Sequence, residues 1–172
     1  TVVSDNGAAI TERGFVWMQG TGTPVTSNFK LKVSGTTGDY TGSLTRLDPN
    51  KTYSFRAYAI NEKGTAYGEV KSFTTVKDLP KLSAVDVTGI TSTSATLVAD
   101  VTDHGGETAS EVGFYYSLEE TVDIETAVKV TKNYAGSAFS TTLSGLSIFT
   151  TYYVKAYAVN SAGVAYSKVT EF

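Results

Sequence analysis

Apolar and polar positions alternate with a period of two along short runs of this chain, most clearly over 150 to 160. There Tyr152, Val154, Ala156 and Ala158 fall on one parity, and Tyr153, Lys155, Tyr157 and Val159 on the other. Successive side chains of a strand point to opposite faces, so such a run reads as a strand with one buried side, taken to be the Tyr152 side. By the same period Phe139 and Leu143 point inward on the run before it, and Phe114 and Tyr116 on an earlier one. From residue 82 onward the runs lie at roughly 83 to 91, 94 to 102, 109 to 117, 127 to 132, 137 to 144, 150 to 160 and 164 to 172, with turn signals between them. Seven short strands in so short a stretch predict a two-sheet sandwich.

The pattern repeats. An offset of 99 aligns Gly14 to Phe73 with Gly113 to Phe172 without a gap. The matches are dense near the end: Leu44/Leu143, Leu47/Leu146, Tyr53/Tyr152, Ala57-Tyr58-Ala59/Ala156-Tyr157-Ala158, Asn61/Asn160, Gly64/Gly163, Ala66-Tyr67/Ala165-Tyr166 and Phe73/Phe172. Self-similarity at a fixed spacing marks tandem modules. Upstream, Ser4-Asp5-Asn6-Gly7 matches Thr102-Asp103-His104-Gly105 at an offset of 98, which predicts one residue of difference in the loop before Gly14.

In the first copy Leu47-Asp48-Pro49-Asn50-Lys51-Thr52-Tyr53, followed by Phe55, Ala57, Ala59, Asn61 and Gly64, resembles a fibronectin type III signature. The resemblance implies a tyrosine corner, in which Tyr53 and Tyr152, at the start of the sixth strand of each copy, bond through their hydroxyls to backbone a few residues upstream. The second copy carries Ile148 in place of the proline, and Leu97 stands where the second strand of the family has tryptophan. Repeats with A-Y-A-x-N-x-x-G-x-A-Y near their end are similar to those of bacterial surface lipoproteins, adhesins and secreted glycan-degrading enzymes. The fold expected is therefore all-β, as two tandem immunoglobulin-like (fibronectin type III) sandwiches at 1–75 and 82–172, joined by a short linker at 76–81 that Pro80 stiffens. The first copy begins at the counterpart of Ala99, so about eighteen residues, its opening strand and most of the next, have no counterpart. Either the chain was cut from a longer one, or a strand from another chain completes domain 1 by β-augmentation.

Composition agrees with a β fold: 11 Tyr, 8 Phe and 16 Gly against only 3 Pro suit half-buried pleated surfaces joined by tight turns. A net charge of -3 with scattered Lys and Arg offers no basic stripe for a nucleic acid. Without cysteine there is no disulfide framework and no thiolate metal site. No run reaches the roughly 18 apolar residues of a membrane helix, so direct membrane insertion is not expected.

Candidate chemistry is sparse. His104 is the single histidine and falls in a Gly-rich turn, which leaves no His pair for a metal and reads as a solvated turn residue. No G-x-S-x-G elbow activates any of the hydroxyls, and no cofactor is expected. Asp100, Asp103 and Glu107 cluster around one loop and form a weak candidate for calcium, against the plainer reading of solvated carboxylates that cap turns. Trp17 shares the inward parity of Phe15. Tyr58 and Tyr157 fall on the outward parity beside Arg56 and Lys155, with Tyr67 and Tyr166 on the next run. These six residues form the candidate ligand surface, since flat aromatic faces flanked by polar groups suit sugar rings and protein partners. The structural alternative pairs the tyrosines across neighbouring strands with Arg56 or Lys155 over a ring. The sequence thus points to non-catalytic spacer or adhesion modules of an extracellular or cell-surface protein. Expected partners are neighbouring domains of the same polypeptide and a surface protein or glycan; the alternative is a carbohydrate-binding or accessory module of a glycan-degrading enzyme.

Overall fold

Strands form where the chain alternates and a neighbouring strand pairs with it, and several of the turns between them fall at residues of positive φ. A computed structural model of the protein describes residues 1–136 and 138–172; the expected fifth run reached back to Ser137, which lies outside the described residues. All regular structure among them is β, and no helix is long and apolar enough to cross a membrane. The chain divides into two units, Thr1–Val76 and Lys77–Phe172.

The first unit carries β1 (Glu12–Gln19), β2 (Phe29–Val33), β3 (Thr52–Asn61), β4 (Gly64–Tyr67) and β5 (Lys71–Thr74). They make one antiparallel sheet in the order β2-β1-β3-β4, with β5 also paired to β3. The second unit carries β6 (Lys81–Leu82), β7 (Asp86–Thr88), β8 (Ser94–Ala99), β9 (Val101–Asp103), β10 (Glu111–Ser117), β11 (Val128–Lys132), β12 (Phe139–Ser144), β13 (Tyr153–Asn160), β14 (Gly163–Tyr166) and β15 (Thr170–Glu171). Its larger sheet, β11-β10-β13-β14 with β15 on β13, repeats the sheet of the first unit. A second sheet, β12-β8-β7, faces it, and β6 pairs with β9. Two of the seven expected strands are each split in two, the second into β8 and β9 and the last into β14 and β15; the first shortens to β7, with β6 just before its expected start.

The core of the second unit lies between the sheets. Leu97, Val112, Phe114, Val154, Ala156 and Ala158 are fully buried there, with Phe139 and Leu143 closing it from β12. Strand order and register make this unit a fibronectin type III-like, immunoglobulin-like sandwich.

The first unit holds the larger sheet of the same plan without its facing sheet. Phe15, Phe55, Ala57 and Ala59 remain half-buried, whereas their counterparts Phe114, Val154, Ala156 and Ala158 have no exposed surface. Residues 41 to 45, which match β12, form no strand. The physical reason is pairing: β12 bonds to β8 along its length, whereas no strand of the first unit is bonded to residues 41 to 45.

Two expectations are corrected. Asp5 to Ala8 closes a turn through Asn6 and Gly7 at φ 52° and 76°, and His104 to Glu107 closes the same turn through Gly105 and Gly106 at φ 62° and 87°. Asp5 therefore corresponds to His104 and the offset of 99 runs through the loop; both turns have positive φ at both central residues, which Asn-Gly and Gly-Gly tolerate. The segment expected as a linker, 76–81, is tied down from Lys77 onward. The Asp78 amide donates to the Gly105 carbonyl at 2.9 Å, Lys77 pairs with Glu107, and Pro80 is buried. Gly105 permits this because a Cβ there would lie 2.0 Å from the Asp78 carbonyl oxygen.

Candidate functional site

The outward faces of the two larger sheets bear one construction built twice. Gly14 stands opposite Tyr58 across β1 and β3, and Gly113 opposite Tyr157 across β10 and β13. In the second unit the bare glycine lets the Tyr157 ring come close over Gly113. A Cβ on Gly113 would sit 2.7 Å from Cε1 of Tyr157. The Tyr157 hydroxyl donates to Oε1 of Glu111 at 2.7 Å and lies 3.1 Å from the Thr131 hydroxyl. The Tyr58 hydroxyl donates to Oε1 of Glu12, also at 2.7 Å. Lys129 bonds Glu111 at 2.9 Å and lies 4.9 Å from the centre of the Tyr157 ring. Lys30 repeats this on Glu12 at 2.9 Å and over Tyr58 at 5.9 Å, and Lys32 adds a second ion pair to Glu12.

The electrostatics follow from these contacts. Bonds from Lys32, Lys30 and Tyr58, in that order, hold the Glu12 carboxyl at a pKa of about 2, and Lys129 followed by Tyr157 lowers that of Glu111. Burial, reinforced by the bond to the carboxylate, pushes the Tyr58 phenol up, and burial likewise raises that of Tyr157. Both rings are only 1% exposed. Their expected place on a ligand surface is therefore corrected: the outward parity holds, but both tyrosines are closed off from solvent, Tyr157 lying close over Gly113.

The remaining members of that surface pair as tyrosines do on neighbouring strands. Tyr67 stands opposite Tyr58, and Tyr166 opposite Tyr157. Arg56 stacks 3.8 Å from the centre of the Tyr67 ring and donates from Nε to the Pro24 carbonyl, while the Thr26 amide donates to the Tyr67 hydroxyl. Lys155 lies 5.0 Å over Tyr166. Tyr166 is 41% exposed and its ring centre lies 6.3 Å from that of Tyr115, so the second unit presents one open ring here and the first presents a bound one.

The tyrosine hydroxyls at the sixth strands accept the upstream backbone bonds. Asp48 donates its amide to Tyr53 at 2.9 Å, and Ser147 donates its amide to Tyr152 at 3.0 Å. Asn61 and Asn160 clamp the turn at the other end. Asn61 donates from Nδ2 to the Asp5 carbonyl, and Asn160 to those of His104 and Asp78.

The acidic trio does not converge. Asp103 bonds Lys81 at 2.8 Å, and Glu107 bonds Lys77 at 2.7 Å and takes the Ser161 amide, which with Lys77 holds it at a pKa of about 2. Asp100 is exposed, and no group of three potential ligands occurs among the described residues. Lysines are the counter-charges of Asp103 and Glu107. His104 is half-buried against Tyr134, ring centres 5.8 Å apart, rather than solvated. Trp17 is half-buried and stacks on Phe29 at 4.4 Å.

Two depressions stand out. One, of about 610 Å³, lies in the first unit between residues 1 to 6, Tyr40, the end of β3 and β4. The other, of about 490 Å³, lies at one end of the second unit between Ile90, Leu146, Phe149 and Phe172. Neither gathers a base, a nucleophile and an oxyanion donor as catalysis requires.

Among solved structures, a crystal structure of the chicken CNTN1 FN1–FN3 domains is similar over 93% of this chain and 53% of that one, with 19% identity and a TM-score of 0.43. The chain spans about half the length of that structure. No family model matches the chain, and no curated protein matches it. The fibronectin type III-like fold rests on strand order and register.

Proposed function

We propose that the chain is a pair of non-catalytic modules that space neighbouring domains and offer interaction surfaces, within an extracellular or cell-surface protein of the bacterial type its repeats resemble. One observation carries this reading: the tyrosines, lysines and carboxylates that could have built a site are joined to one another twice over, in the same geometry, as a brace on the sheet. A ligand site has no reason to recur at the same positions with its aromatic rings hidden. The fold supports the reading, since such sandwiches act as structural or interaction modules, although function belongs to sites and not to folds.

The carbohydrate alternative keeps one feature in its favour, the open Tyr166 ring beside Tyr115 and Lys155. Titration with a panel of oligosaccharides, followed through the ring resonances of Tyr115 and Tyr166, separates the two. The module reading expects no saturable shift at millimolar sugar and no release of reducing ends. A saturable shift that disappears in Tyr166→Ala replaces it with glycan recognition.

A further inference from the structure

The loop before the sixth strand follows one backbone plan in both copies and carries opposite chemistry in them. In the first it reads Arg46-Leu47-Asp48-Pro49-Asn50-Lys51, and in the second Gly145-Leu146-Ser147-Ile148-Phe149-Thr150. Arg46 and Gly145 both turn left-handed, at φ 59° and 73°, and so do Asn50 and Phe149, at φ 53° and 52°. Each loop gives one amide to the tyrosine hydroxyl five residues on, from Asp48 to Tyr53 and from Ser147 to Tyr152. Within that shared plan the second copy has no charge where the first has Arg46, Asp48 and Lys51, and has Ile148 and Phe149 where the first has Pro49 and Asn50.

A left-handed backbone suits asparagine, whereas a bulky ring there costs energy that packing has to offset. No packing inside the second unit offsets it: Phe149 is fully exposed, and Ile148 and Ile90 near it are 58% and 62% exposed. Chain running on past the last strand does not cover this position either. In the first unit Thr75 and Val76 pass the same loop, bonded to Lys51 and Asn50, and Asn50 stays exposed. Beside the Phe149 ring lies the depression of about 490 Å³, lined by Ile90, Leu146 and Tyr152 with serines and threonines between them and no charged residue. A protruding ring and a hollow that takes one ring thus stand side by side on one surface.

We propose that this end of the second unit is a two-fold contact with a second copy of the chain, in which Phe149 of each copy enters the hollow of the other. A two-fold contact brings the same patch of both chains together, so it requires a surface that complements itself. The ring beside the hollow meets that requirement in shape. The lack of charge meets it in electrostatics, because every charge on such a patch would approach its own copy, in a chain whose net charge is already -3. Aromatic anchors seated in apolar pockets carry most of the energy of protein contacts. A patch of a few side chains is smaller than a permanent interface, so the association is weak and depends on concentration. The inference rests on the interaction-module reading and names the partner of such a module.

Sedimentation equilibrium of the 172-residue chain up to millimolar concentration, with the methyl resonances of Ile90 and Ile148 followed over the same series, tests it. The expected result is a monomer-dimer equilibrium in which both methyl signals shift with concentration. Phe149→Asn, which carries the first copy's residue at the same φ, is expected to weaken the dimer about tenfold for each ring lost, about a hundredfold in all. The urea midpoint of the second unit is expected to be no lower in that variant, so a folding defect is distinguishable from a lost contact. Three results overturn the proposal. The first is a monomer at millimolar concentration. The second is a dimer that Phe149→Asn leaves unchanged. The third is a monomer whose Ile90 and Ile148 signals respond only to phosphatidylcholine vesicles, which assigns this end to a lipid surface. None of these results touches the module reading, which fails on glycan binding or hydrolysis.

Discussion

Replacing Gly113 with alanine places a methyl carbon 2.1 Å from the Val130 carbonyl oxygen and 2.7 Å from Cε1 of Tyr157. The first contact is with backbone of the neighbouring strand, so no rotamer change relieves it, and β10 and β11 must separate. The second lifts Tyr157 from its trough and draws its hydroxyl off Glu111. Overpacking of a tight site costs about 1 to 3 kcal/mol, and a hydrogen bond to a charged group contributes about 1.5 to 3 kcal/mol. With partial relaxation, about 3 kcal/mol is the expected loss. At a urea dependence of about 1 to 3 kcal/mol per molar, the midpoint of the second unit falls by about 1 to 3 M. Hydrogen exchange resolved along β10 and β13 reads that unit, and Trp17 fluorescence reads the first, whose transition is expected to stay in place. A second-unit midpoint unchanged within about 0.3 M would refute the brace as a structural device.

Glu12→Gln tests the same brace by pH. The folded pKa of Glu12 is depressed from 4.5 to about 2, so the stability it contributes is present above about 4.5 and is lost as pH falls toward 2. The Trp17 transition of the wild-type chain is expected to lose stability across that window, and the Glu12→Gln variant to show a flatter acid limb. Tyr152→Phe leaves the Ser147 amide without its acceptor and is expected to lower second-unit stability by about 1 kcal/mol in chemical denaturation. Asn160→Ala removes the bonds to the Asp78 and His104 carbonyls, so exchange at the Asp78 amide is expected to rise well before the rest of the second unit opens.

Much of the fold was legible because its signals are local. Period-two alternation and turn residues locate the strands, and the L-x-P-x-x-x-Y spacing locates the hydroxyl that meets Asp48. The brace was half legible. Parity set Tyr58 and Tyr157 outward, but exposure depends on what stands opposite on the next strand, which single-strand parity ignores. The identity of Glu12 with Glu111, Gly14 with Gly113 and Lys30 with Lys129 at the shared offset carried that information. The turn was misaligned because the identity of Asp5 with Asp103 outweighed backbone conformation, which matches Asp5 to His104. Nothing local pairs Lys77 with Glu107, thirty residues on, so the segment after Val76 read as a short linker stiffened by Pro80. Tyr40 to Leu44 has the pattern of a strand, yet a strand needs a partner, and pattern alone does not supply one.

The central claim is that β12-β8-β7 covers the inner face of the larger sheet in the second unit, while residues 41 to 45 of the first form no strand. Residue-resolved hydrogen exchange on the chain alone tests it most directly. The account predicts that amides of Phe139–Ser144 exchange only with opening of the second unit, while those of residues 41 to 45 exchange close to unprotected rates. Equal protection of the two segments would contradict it.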